Sequence, residues 1–392
     1  MTRGILFVIV TLCFTKNRLI PSAVGFPTNH IKNAGSEDFD LANNKVLISF
    51  VVFRHGDRTP DQGELDIYPA AHFEDSIFYP FGKGALTISG KQRAFRLGQY
   101  LRKRYNDTIS QLYIPEEITV RTTDFPRTKM TALSALAGMY PPLPEQKWNE
   151  ELNWQPIPYD RTELKEDDDL VHFGNCPRYQ QLKILVYQDP EKRNLISSYE
   201  PLYKLLEAKT GANITIPENV FFLDNMFMGL ENAGVKNEKW VQEIMPKIKE
   251  MTKIEYSCIY YNDEMITLSS GALWNEIINA MKAIVAGDET KAKLRLYSAH
   301  ENNVAAVLAA LKAFNPHQPK YCSSVALELR KNMKTGKYGV MLVYASEAGG
   351  PGEVLPISGC DGKPICDFDT FVTLVKNVLI PHSDYKKRCN LR

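Results

Sequence analysis

This chain has almost no net charge. Its 392 residues carry 47 Lys and Arg against 46 Asp and Glu, a balance of +1. Composition therefore announces no nucleic-acid or polyanion surface, and each charged side chain has to be judged by its neighbours. Long apolar runs are missing too. After the first fifteen or so residues, no segment approaches the stretch of about 20 apolar residues that a membrane-spanning helix needs. The end, Lys386-Lys387-Arg388-Cys389-Asn390-Leu391-Arg392, lacks the hydrophobic tail of a lipid-anchored precursor. No Gly-x-Ser-x-Gly elbow occurs. Gly84 to Lys91 comes near a phosphate-binding loop, but its spacing is one residue too long and Gln92 stands where Ser or Thr belongs. His72, His172, His317 and His382 show no metal-type spacing, and no nearby His completes a zinc set with Cys360 and Cys366. Glu166-Asp167-Asp168-Asp169 reads as a solvated loop rather than a calcium site. Neither a metal nor an organic cofactor is called for. There is no internal repeat and no low-complexity segment.

Cysteine is scarce, with seven in the chain. Met1 to about Thr15 predicts a signal peptide, with Arg3 as the positive start and Gly4 to Phe14 as the short apolar core; cleavage falls between residues 15 and 24. Cys13 lies in that segment. Cys176, Cys258, Cys322, Cys360, Cys366 and Cys389 remain, and an even number in an exported chain favours three bridges. Spacing leaves fifteen connectivities open, although the short Cys360–Cys366 separation suits a local loop. Two glycosylation sequons begin at Asn106 and Asn213. A secreted, disulfide-bonded glycoprotein is expected, with no membrane and no nucleic-acid partner.

Val46 to Phe53 is an apolar run, broken only by Ser49, and predicts a buried strand. Ser89 to Tyr105 predicts a helix with Phe95, Leu97, Tyr100 and Leu101 on its inner side. Ile118 to Thr122 predicts a strand, and Pro126 opens a helix to about Met139. This alternation argues for an α/β fold with a mostly parallel central sheet flanked by helices. Between residues 148 and 264 the pattern changes. That stretch is polar and proline-dotted, with helices predicted at Pro177–Tyr187, Leu195–Ala208 and Glu238–Met251. It reads as an inserted, mostly helical cap that interrupts a catalytic domain of residues 40–147 and 265–392. Afterwards come a helix from about Gly271 to Ala286, a strand Leu294–Ser298 and a helix Asn303–Phe314. Val325–Arg330 and Val340–Ala345 predict an antiparallel hairpin, and Phe368–Val378 a late helix.

Directly after the first strand stands Arg54-His55-Gly56-Asp57-Arg58-Thr59-Pro60. The carboxyl end of such a strand is where open α/β sheets bind ligands. Imidazole is a competent nucleophile, and guanidinium forks match phosphate oxygens. A histidine framed by two such clamps is suited to phosphoryl transfer through the protein itself. His300 follows the later strand Leu294–Ser298 and is expected at the same edge of the sheet.

The segment resembles the signature of the histidine acid phosphatases, a branch of the histidine phosphatase superfamily. Arg121-Thr122-Thr123-Asp124-Phe125-Pro126-Arg127-Thr128 resembles that family's second arginine segment, and Tyr297-Ser298-Ala299-His300 its second histidine segment. Asn153 to Pro158 and Asn175-Cys176-Pro177 are similar to stretches between them. Likeness is strongest to the insect venom and prostatic types, which also implies recognition by antibodies as an allergen. The resemblance implies a phosphoglycerate-mutase-like fold and hydrolysis of phosphate monoesters at acid pH. It assigns His55 as nucleophile, Arg54, Arg58, Arg127 and His300 to the phosphate, and pairs Cys176–Cys389, Cys258–Cys322 and Cys360–Cys366. Glu301 stands where prostatic-type enzymes carry Asp. It is expected to protonate the leaving oxygen and then activate water, with Asp57 and Asp124 as competitors. Small phosphate monoesters, with phosphopeptides as a further class, are the expected partners, and a homodimer is one option. A phytase-like enzyme and an inert phosphate-binding scaffold are the rival readings.

Overall fold

A computed structural model describes residues 43–288 and 290–390. The predicted signal peptide lies outside these residues. Eight strands form one sheet: β1 (Asn44–Arg54), β2 (Ile118–Thr122), β3 (Asp160–Arg161), β4 (Leu294–Ala299), β5 (Ser324–Asn332), β6 (Tyr338–Ala345), β7 (Glu353–Leu355) and β8 (Cys366–Asp367). Their order is β3-β2-β4-β1-β5-β6-β7, with β8 also on β6. The half from β3 to β1 is parallel. From β5 onward the pairings are antiparallel, so five of the eight strands point the same way. The chain has an α/β fold whose parallel half is extended by an antiparallel meander.

β1 sits in the middle, and its last seven residues are buried. Burial on both faces explains why Ser49 is the one polar residue between Val46 and Phe53. Phe50 and Val52 enter one apolar cluster, while Val51 and Phe53 enter the other. On the second face pack helices Ile88–Arg104 and Pro126–Met139. Their backbones touch, since a Cβ on Gly98 would meet the carbonyl oxygen of Ala135 at 1.8 Å. The inner side of the first helix is formed by Ala94, Leu97, Gly98 and Leu101. Phe95, expected there, is 42% exposed because Gly138 brings the partner helix onto the Phe95 backbone carbonyl, not onto its ring.

Residues 148–264 carry helices Pro177–Gln188, Pro190–Ser197, Glu200–Thr210, Pro217–Asn232 and Lys239–Ile259. Four of them have Pro in the first two positions, where its missing N–H costs nothing. The helix expected over Leu195–Ala208 is two, because the turn at Ser198-Tyr199 precedes Pro201 and starts a new one. Apolar residues of these five helices join the same cluster as Phe50 and Val52, while Ile157, ahead of them, joins the cluster on the other face.

Two of the three expected disulfides are present, Cys176–Cys389 and Cys360–Cys366. The first ties the N-cap of helix Pro177–Gln188 to the helix His382–Cys389. The expected Cys258–Cys322 bridge is absent: both thiols are free and buried. Cys258 packs in the cluster on one face of the sheet and Cys322 in the cluster on the other. A bridge needs Cα atoms within about 7 Å, and the sheet separates these two. Asn106 and Asn213 are exposed. The Glu166–Asp169 run is not a solvated loop. Asp167 and Asp169 are buried and both pair with Arg121, and Asp169 also meets Nε2 of His382 at 2.8 Å.

Candidate active site

Register brings the site together. Arg54 pairs with Ala299, and Thr122 with Ser298. Three strands therefore end side by side, and the next residues, His55, His300 and Thr123, leave the sheet at one edge. The amide of His55 donates to the carbonyl of Ala299 at 3.0 Å. The two imidazoles lie 5.6 Å apart, edge to face.

His55 is 1% exposed. Its Nδ1 is 2.8 Å from the carbonyl oxygen of Gly56. A carbonyl only accepts, so Nδ1 carries the proton and Nε2 keeps its lone pair. Burial pushes the His55 pKa well below the ordinary value, and Arg127, Arg54, Arg58 and His300 push it further. The imidazole is thus a neutral base even in acid. Gly56 is required in this turn because a Cβ would sit 2.5 Å from the carbonyl oxygen of Gly90.

Arg54, Arg58 and Arg127 are each anchored by part of the guanidinium. Nη1 of Arg54 donates to Pro319 O at 2.6 Å, its Nε lies 3.0 Å from Glu301, and its plane covers Tyr321 at 4.0 Å. Arg58 gives both Nη atoms to Glu64, at 2.6 and 2.5 Å. Burial alone would lower the Arg58 pKa, but Glu64 outweighs it and raises it. Arg127 stands in the first turn of its helix and covers Phe125 at 4.4 Å. Burial, then Arg58, push its pKa down to about 10. Nη2 of Arg54, Nε of Arg58 and Nε of Arg127 are buried donors without a protein partner. Buried donors are normally satisfied, so these fit an oxyanion.

His300 is the N-cap of helix Glu301–Ala310, which starts two residues earlier than expected. Its Nε2 is 3.0 Å from Oγ1 of Thr123, which is 2.9 Å from Oγ1 of Thr128. Thr128 in turn reaches the carbonyls of Thr123 and Phe125. Burial and Arg127 lower the His300 pKa to about 3, against the pull of Glu301.

Glu301 is 6% exposed, and its Oε2 lies 4.0 Å from Nε2 of His55. Burial pushes its pKa up, but Arg54, His300 and Arg58 outweigh this and hold it below the ordinary value. The competing carboxylates are engaged elsewhere. Asp57 receives Nε and Nη2 of Arg93 at 2.6 and 3.1 Å. Asp124 pairs with Lys129 and Arg161 near the surface. Arg121 points to Asp167 and Asp169. Sequence reasoning had not singled out Glu64, Tyr321, Thr123 or Thr128. Only Glu64 left a signal, the Asp61-x-x-Glu64 capping box.

Comparison with known proteins agrees with this geometry. Residues 48–344 match the histidine phosphatase superfamily (branch 2). The chain is 33% identical to venom acid phosphatase Acph-1 of Apis mellifera over 332 residues, 84% of each chain. It is 33% identical to the prostatic acid phosphatase of Homo sapiens over 348 residues, 86% of each. The lysosomal acid phosphatase of Homo sapiens is 30% identical over 347 residues, 87% of this chain and 79% of that one. The apo phytase of Hafnia alvei has the same fold, with a TM-score of 0.63 at 14% identity over 90% of this chain and 99% of that chain. With His55, His300, Arg54, Arg58 and Arg127 inside the matched span, the chain belongs to branch 2 of the histidine phosphatase superfamily.

Proposed function

We propose that this chain is a secreted acid phosphatase that hydrolyses phosphate monoesters through a phosphohistidine at His55. The observation that carries the reading is the neutral His55, locked with Nδ1 on Gly56 and Nε2 free, among three arginines with unpartnered donors. The lone pair of Nε2 attacks phosphorus. The bond to the ester oxygen breaks, and that oxygen takes the proton of Glu301 and departs as the alcohol. Glu301, now a carboxylate, accepts a proton from water as the water oxygen attacks phosphorus. The phosphorus–nitrogen bond breaks, and inorganic phosphate leaves with His55 and protonated Glu301 restored. Arg54, Arg58, Arg127 and His300 hold the equatorial oxygens, where charge is spread in the transition state. Secretion rests on the leader and on the two disulfides; the relatives include venom and prostatic enzymes, and also lysosomal ones.

A phytase-like reading would need a strongly basic pocket. A cavity of about 510 Å³ beside Arg54 is lined by Arg93, Lys249, Lys253 and Lys320. Three of these already pair with acids: Arg93 with Asp57, Lys249 with Asp224, and Lys320 with Glu347. Its net cationic character is therefore weak, and the simple monoesterase is favoured.

The test is direct. Labelled substrate followed by an alkaline quench should trap label on protein that is released by acid. His55→Ala should lose several orders of magnitude in turnover. Near-normal turnover in that variant, or an acid-stable label, eliminates the assignment.

A further inference from the structure

Resting on the monoesterase reading, we infer that the leaving group this site prefers is apolar, an aryl or alkyl chain seated in one cavity between the cap and the histidine edge. A cavity of about 400 Å³ is lined by Arg127 and His300 at one side and by Phe125, Leu170, Val171 and Phe173 at others. Arg127 and His300 also belong to the phosphate cage, so the cavity is continuous with it. Phe125 joins the two, lying 5.2 Å from the His300 ring and 4.4 Å under the Arg127 guanidinium. A group esterified to a phosphate held by these residues has the aromatic face of Phe125 beside it.

Charge decides the class of occupant. Apart from Arg127, the one charged lining residue is Lys165, and no carboxylate lines the cavity. A leaving group that carries further phosphates needs several cations to offset desolvation, and one lysine does not supply them. A sugar or polyol needs hydrogen-bond partners on most of its hydroxyls. Asn303 is committed to the His300 amide and the Leu170 carbonyl, and Asn175 to the carbonyls of Leu164 and Asp167. That leaves Oδ1 of Asn302 as one unpartnered amide acceptor in the lining, too few for a polyol. An apolar chain loses nothing by entering. The wall is held from behind, since Phe173 stacks on His172 at 4.0 Å and meets Tyr179 at 5.3 Å. A second cavity of about 370 Å³ shares Phe173, Gly174 and Asn302 with the first, and continues past Phe221, Phe222 and Ile259 toward Gln180, Glu218 and Glu255. Space for a longer chain adjoins the first cavity.

The experiment is a series of n-alkyl phosphates from ethyl to hexyl, without metals, at one acid pH. Leaving-group acidity is nearly constant along the series, so the slope reads the cavity. Burial of a methylene should raise kcat/KM roughly threefold per carbon. Inositol hexakisphosphate and glycerol 2-phosphate should be poorer than hexyl phosphate. Phe173→Ala should flatten the slope, and Val171→Thr, which keeps the shape, should flatten it less. The matching alkylphosphonates cannot be hydrolysed, and their affinity by calorimetry should climb with length in the same way. A flat slope in both series, or preference for the inositol ester, overturns the inference while leaving the phosphatase standing. Phosphonate affinity that climbs while no ester is hydrolysed supports the cavity and refutes the phosphatase reading instead.

Discussion

His172 sets a cost on working in acid. The residue is fully buried at the start of the short helix His172–Asn175, and neither ring nitrogen has a hydrogen-bond partner. Burial lowers its pKa from 6.5 to about 3. The sign follows from proton counting. Between about pH 6.5 and pH 3 the unfolded chain binds a proton here that the folded chain refuses, so stability falls as pH falls through that window. Each pH unit below the unfolded value costs the fold about 1.4 kcal/mol, so between neutrality and about pH 5 this single residue costs about 2 kcal/mol. His172→Leu removes the proton site while keeping an apolar group of similar volume against Phe173 and Tyr179. For a chain of this size, 2 kcal/mol corresponds to about 3 °C in Tm. The assay is thermal unfolding of both proteins at about pH 7.5 and about pH 5, at one scan rate. The variant's advantage should grow by that amount in acid. Contributions of His55, His300 and the carboxylates are common to both proteins and cancel in the double difference. His172→Met serves as a second variant if leucine fits poorly. Parallel pH dependence in wild type and variant would refute the argument, because it would mean that His172 takes a proton in the folded state.

Glu301→Gln should depress the phosphorylation step far more for alkyl phosphates, by roughly 10²- to 10⁴-fold, than for nitrophenyl phosphate, whose phenolate leaves unaided; equal losses in rapid-quench data move the donor role to another group. Glu301→Asp should retain substantial activity, read in the same assay. Thiol titration of the mature protein, denatured but not reduced, should find two thiols, Cys258 and Cys322, and finding none would restore the third bridge. Gly98→Ala should destabilise by roughly 1–3 kcal/mol, because its Cβ meets backbone and not a movable side chain; a urea midpoint equal to wild type contradicts the helix contact.

The parts of the fold legible in the sequence are those where one local signal suffices. Val46 to Phe53 is apolar but for Ser49, whose hydroxyl meets that of Tyr105, because β1 is buried on both faces, and the Arg-His-Gly-Asp-Arg string follows it without a break. Pro126 marks a helix start by its own geometry. Helix Pro217–Asn232 escaped notice for a physical reason. Val220, Phe221, Leu223, Met226, Phe227 and Leu230 are buried on most of its circumference, so no amphipathic period remains to be read. β3, β7 and β8 have two or three residues and are defined by their partners alone. Tyr321 and Glu64 serve Arg54 and Arg58 through contacts that only the folded chain creates. The third disulfide failed likewise: the even cysteine count favoured three bridges and the family resemblance paired Cys258 with Cys322, but neither says on which face of the sheet a thiol lies.

The cation cage explains how one set of charges suits both halves of the proposed reaction. Burial first, and then Arg127, Arg54 and Arg58, hold the His55 pKa well below that of a free histidine, which favours the neutral nucleophile. Arg54 and Arg58 also hold Glu301 ionised, which is wrong for a proton donor. A bound phosphoryl group reverses the second effect. Its oxygens take up the same guanidinium charge, and its own negative charge lies close to the carboxylate, so the Glu301 pKa rises as substrate enters. A monoester carries one proton of its own below its second pKa of about 6. The monoanion thus delivers the proton that Glu301 then passes to the leaving oxygen. Acid activity in this scheme is a property of the substrate and Glu301 together, since burial holds the pKa values of both His55 and His300 below that of a free histidine.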